Sequence, residues 1–95
     1  MKVTFRSRAE VAFRSLDALD RAKVAAVLQN AETGGSQALT RGNQLRKLHQ
    51  PSNNNLYAIR VTPRLRLVVS LQNDVLTVED IAPPDRVDRL LRDRR

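Results

Sequence analysis

The stretch LYAIRVTPRLRLVV, residues 56–69, decides how this chain folds. It reads as two strands joined by a tight turn near Pro63, and it carries Arg60, Arg64 and Arg66 with no acidic residue among them. Strand side chains alternate between faces, so Tyr57, Ile59 and Val61 share one side while Ala58 and Arg60 take the other. After the turn, Leu65, Leu67 and Val69 alternate with Arg64, Arg66 and Val68. If one side of the hairpin is buried, the apolar faces coincide. Val61 then pairs with Leu65 around a Thr62-Pro63-Arg64 loop, and Arg60 stands across from Arg66. Like charges directly opposite one another destabilise a sheet. Such a pair is suited to holding an anion between its guanidinium groups.

Working outward, a third strand over 75–81 follows the turn Gln72-Asn73-Asp74, so residues 56–81 read as an antiparallel meander. Pro83 and Pro84 stop it, and residues 85–94 form a short amphipathic helix with Val87, Leu90 and Leu91 inward. Toward the N-terminus, residues 2–6 make a short strand with Val3 and Phe5 on one side. Ser7 and Glu10 have the spacing of a capping box for a following helix, in which Val11, Ala12, Leu16 and Leu19 form a stripe. Asp17 and Asp20 suggest a second helical start. Val24, Val27, Leu28 and Ala31 fall at i, i+3, i+4 and i+7, and Gly34 and Gly35 end the segment. This is an antiparallel helical hairpin or one kinked helix. Residues 36–55 mix a possible helical turn with a polar loop around Pro51. The reading is a small α+β fold in which an antiparallel sheet, a short N-terminal strand plus the three-strand meander, packs against the helical hairpin and carries a short C-terminal helix.

Ninety-five residues make a single domain, 1–95, with one core. Two Phe, one Tyr and no Trp leave that core to aliphatic side chains. With no Cys and one His, neither a disulfide nor a conventional zinc site is readable, so no metal is expected. The first residues lack the continuous apolar run of a signal peptide, and no stretch is long enough for a membrane span, which points to the cytoplasm. The net charge of +7 is concentrated: residues 41–70 hold six basic residues and no acidic one. No Asp or Glu occurs between Glu32 and Asp74. A basic surface of this kind fits a phosphate backbone or an acidic protein.

The succession LRKLHQ, LYAIRV, RLRLVV and VLTVEDI, in this element order, resembles the RelE/ParE superfamily of small bacterial toxins from type II toxin-antitoxin systems. For the RelE-like branch the resemblance implies a ribosome-dependent mRNA endonuclease that uses no metal or other cofactor, together with a cognate antitoxin as partner. The matching positions are Arg60 and Arg66, as ligands of the phosphate and of the charge that builds on phosphorus. Arginine keeps its proton near neutral pH, so a base is still needed. His49 is the one side chain that ordinarily titrates there. Arg46, Lys47, Arg64 and Arg86 are candidates for holding the RNA backbone or an antitoxin carboxylate. Two departures from the RelE-like pattern stand out: Ala82-Pro83-Pro84-Asp85 follows the last strand, leaving Arg86 as the nearest basic residue, and the C-terminal segment has no Tyr. ParE-like members share the fold without that catalytic set and inhibit DNA gyrase, so a gyrase inhibitor or a degenerate toxin-fold binding module is the alternative.

Overall fold

The computed structural model describes residues 1–41, 45–48 and 55–87, without the side chains of residues 36, 40 and 41. The chain runs β1 (Lys2–Phe5), α1 (Ser7–Ser15), α2 (Ala18–Arg41), β2 (Leu45–Lys47), β3 (Leu56–Thr62), β4 (Leu65–Gln72) and β5 (Val75–Ala82). The five strands form one sheet in the order β1-β5-β4-β3-β2. The meander is antiparallel as expected, but β1 lies parallel to β5, so the sheet is mixed rather than antiparallel throughout. The reason is the crossover. The helices α1 and α2 carry the chain from β1 across the sheet to β2 at the far edge, and the meander then zigzags back until β5 lies beside β1.

The expected cap at Ser7 is absent. Backbone pairing of the first strand extends one residue further, with the Arg6 N–H donating to the Val78 carbonyl at 2.9 Å, so Ser7 is already inside α1 and Arg6 takes the extended cap position. The second start is capped as Asp residues cap helices: Asp17 Oδ1 accepts the Asp20 N–H at 2.8 Å. Within α2, Gly35 adopts φ 67° and ψ −167°, which breaks the helix before it resumes toward Arg41. A Cβ on the preceding Gly34 would lie 2.8 Å from that of Ala38, so the chain also needs glycine there for space.

The main core lies between the helices and one sheet face. Val24, Leu28 and Ala31 of α2 meet Ile59, Leu67, Val69, Leu76 and Val78, all nearly or fully buried. Each such Leu, Ile or Val contributes roughly 1.5–3 kcal/mol by leaving water. The α1 stripe differs from expectation: Ala9, Ala12, Phe13 and Leu16 face inward, whereas Val11 and Leu19 are each 65% exposed. Phe13 sets this rotation by packing on Phe5, with ring centroids 5.6 Å apart.

The sheet is apolar on both sides. On the face away from the helices, Ala58, Val68 and Ala82 form a small second core under Leu48 and Val87. Val87 arrives on a helical turn at residues 84–87, where the expected C-terminal helix begins; the rest of that helix lies outside the described residues. Among the described residues, no helix is long and apolar enough to cross a membrane.

Candidate functional site

The hairpin places Arg60 directly opposite Arg66, as its alternation requires. It reaches that register by another route than a three-residue loop. Thr62, not Val61, pairs with Leu65, and Val61 is an extra residue bulged out of β3. Proline at the first turn position holds φ negative, which excludes the primed turns that match strand twist. Arg64 is not among the residues with positive φ, so the turn is neither type II nor a primed type. The bulge takes up the resulting mismatch in twist. The second hairpin shows the contrast: Asn73 (φ 53°) and Asp74 (φ 61°) form a type I′ turn, with no bulge beside it.

The register across the sheet assigns the remaining basic residues. Arg60, Arg66 and Ala82 make one row on the face away from the helices, and Arg46, Ala58, Val68 and Asp80 make the next. Arg46 is therefore diagonal to Arg60 on the same face, roughly 7–8 Å away between Cα atoms. Lys47 pairs with Tyr57 and belongs to the opposite face, where Tyr57 packs on the edge of the main core. Arg64 is exposed at the tip of the turn, its backbone N–H donating to Thr62 Oγ1 at 3.1 Å. His49 lies outside the described residues.

The two central guanidinium groups differ in freedom. Arg60 is exposed and, among the described residues, has no hydrogen-bond or ion-pair partner. Arg66 is half-buried and folds back on the turn, with Nη1 donating to the Thr62 carbonyl at 2.5 Å and to the Leu65 carbonyl at 3.3 Å. Those two contacts use the Nη1 hydrogens and leave Nε and Nη2, the parallel pair along one side of the guanidinium, without partners among the described residues. That side is the fork that binds two oxygens of one phosphate or carboxylate.

The nearby carboxylates are already engaged. Asp80 Oδ2 accepts from Arg86 Nη2 at 2.8 Å while its Oδ1 accepts the Ile81 N–H at 2.9 Å. Glu79 is the bulged residue of β5; its two oxygens take Arg6 Nε at 3.1 Å and the Ser70 hydroxyl at 2.9 Å. Arg86 therefore answers Asp80 and donates as well to the Ile81 carbonyl at 3.0 Å. The result is a patch of Arg46, Arg60 and Arg66 that no described acid neutralises, beside two carboxylates neutralised by other arginines.

The sequence matches no protein-family profile and no curated protein. Solved structures are similar in shape. The RelE–RelB complex from Pyrococcus horikoshii superposes with a TM-score of 0.71 at 17% identity, covering 90% of this chain and 96% of that one. The YoeB dimer from Staphylococcus aureus gives 0.66 at 16% identity, with 86% and 94% covered. YafQ from E. coli gives 0.61 at 12% identity, with 90% and 96% covered. The chain has the RelE toxin fold. It spans nearly the full length of these structures.

Two residues that matter to the patch carry no signal in the alternation of the sequence. Thr62 acts through its carbonyl and its hydroxyl, and Asp80 reaches the charged face because Glu79 is bulged. Turn chemistry at Thr62-Pro63 could have pointed to the first. Nothing short of the register could have pointed to the second.

Proposed function

We propose that the protein is the toxin of a type II toxin-antitoxin system and acts as a metal-independent, ribosome-dependent mRNA endonuclease. The observation that supports this reading is the unneutralised Arg60–Arg66 pair on a RelE-type sheet. In-line attack of a ribose 2′-OH on the adjacent phosphate forms a 2′,3′-cyclic phosphate and breaks the bond from phosphorus to the 5′-oxygen of the next nucleotide, with negative charge building on the phosphoryl oxygens on the way. The free side of Arg66 and the unpaired Arg60 would receive that charge as it forms. His49 would accept the 2′-OH proton, and the departing 5′-oxygen would take up one proton in exchange, from the protonated imidazole or from water. Arg46 and Arg64 would hold the flanking backbone, and Lys47, on the other face, would serve a neighbouring phosphate or an antitoxin carboxylate. The antitoxin is a short acidic protein that masks this face; among the solved relatives, RelE is seen with RelB and YoeB with YefM. The site of action is the cytoplasm, where translating ribosomes are.

Purified protein added to ribosomes stalled on a defined message tests this. Cleavage within the ribosome-bound codon, with free message left whole, is the expected result. Intact message together with blocked DNA supercoiling by gyrase would replace this reading with the ParE-like one. That second reading draws support from Arg86, whose guanidinium is taken up by Asp80 instead of facing the patch.

A further inference from the structure

Arg86 is the nearest basic residue after the last strand and, on resemblance alone, a substrate ligand. Its surroundings argue for a different role. Asp80 is paired with Val68, and Arg66 with Ala82, so Asp80 lies diagonal to Arg66 on the same face. At roughly 7–8 Å between Cα positions, an arginine side chain can reach such a neighbour. The Asp80 side chain is only 17% exposed, so its charge is poorly screened by water. Left unpaired, that carboxylate would seek the free Nε and Nη2 side of Arg66, which offers the same two-pronged fit to a carboxylate as to a phosphate. Instead, Asp80 Oδ2 is held by Arg86 Nη2 at 2.8 Å, Oδ1 is held by the Ile81 N–H, and Arg86 is fixed in turn by the Ile81 carbonyl.

We infer that Arg86 is a positioning residue: by neutralising Asp80 it keeps an internal carboxylate from occupying the anion-binding side of Arg66. The inference rests on the proposed role of Arg66 as a phosphate ligand. A residue that touches RNA and one that restrains Asp80 respond differently to a second substitution. Removing a direct contact cannot be repaired by changing Asp80, whereas removing a restraint on Asp80 becomes harmless once Asp80 carries no charge.

The test compares wild type with Arg86→Ala, Asp80→Asn and the double variant Asp80→Asn/Arg86→Ala. One readout is cleavage of ribosome-bound message; the other is inorganic phosphate titrated against the Arg66 Nε–H resonance in the isolated protein. Arg86→Ala is expected to weaken both by roughly tenfold, a coupling typical of charges in one network. The double variant is expected to recover to within about twofold of Asp80→Asn on the same scale. A double variant as weak as Arg86→Ala, or an Arg86→Ala variant as good as wild type, would overturn the inference. If wild type cleaves nothing, the nuclease reading fails, and the phosphate titration still decides the role of Arg86.

Discussion

Arg60 and Arg66 are cross-strand partners, two guanidinium groups on paired backbone positions about 5 Å apart with no described carboxylate between them. Mutual repulsion makes this pair a cost to the fold. Replacing Arg60 with Gln is expected to raise stability by a few tenths of a kcal/mol, about 1–3 °C in melting temperature, while lowering cleavage. Thermal melting at low salt checks it. Added phosphate should raise the melting temperature of wild type more than that of Arg60→Gln, because an anion bound only by the folded pair stabilises it.

Thr62 organises the turn that aims Arg66. Its hydroxyl accepts the Arg64 N–H at 3.1 Å and its carbonyl accepts Arg66 Nη1. Valine keeps the shape and removes the acceptor, so Thr62→Val is expected to cost about 1 kcal/mol and to slow cleavage, while Thr62→Ser stays close to wild type on both measures. Chemical denaturation and single-turnover cleavage of the three proteins separate these outcomes.

In the proposed mechanism Arg46, diagonal to Arg60, holds the flanking backbone and does not meet the reacting phosphate. Arg46→Ala is therefore expected to weaken RNA binding and leave the rate at saturation unchanged. The slope of log affinity against log salt should fall by about 0.7, the contribution of one phosphate contact on a single strand. Binding measured across a salt series, beside saturating kinetics, checks both.

The β4–β5 turn tests the account of the fold alone. Asn73 and Asp74 both occupy the left-handed region, which Asp tolerates and Gly prefers. Asp74→Gly is expected to stabilise the protein by about 0.5–1 kcal/mol and to leave cleavage untouched, and Asp74→Val to destabilise it by about 1–2 kcal/mol. Urea denaturation reads both.

Much of this architecture is legible in the chain because period-two alternation runs through the meander everywhere except at the bulged residues Val61 and Glu79. That pattern places Ile59, Leu67 and Val78 in the core and Arg60 against Arg66, even with the turn misread, since a three-residue loop and a bulge plus a two-residue turn give the same pairing. The direction of β1 is not legible. A four-residue edge strand looks alike in parallel and antiparallel pairing, and only the path of the helices decides it. The second core was half-visible: Ala58 and Val68 are apolar on the charged face, but Leu48 and Val87 that cover them come from distant segments. The candidate site divides in the same way. Alternation brings Arg60 and Arg66 to one face, but the opposite faces of Arg46 and Lys47 depend on β2, a three-residue strand in a segment that reads as a helical turn and polar loop, and the engagement of Arg86 depends on a bulge at Glu79 that alternation does not reveal.

The proposed function requires that the Arg60–Arg66 pair cleave message on the ribosome. The measurement that meets it most directly is the mapping of mRNA 5′ ends in a bacterial host minutes after induction of wild type and of Arg60→Ala/Arg66→Ala. New 5′ ends inside translated codons are expected with the wild type and none with the double variant at equal protein level. Growth arrest with intact message, or new ends that persist in the double variant, would contradict it.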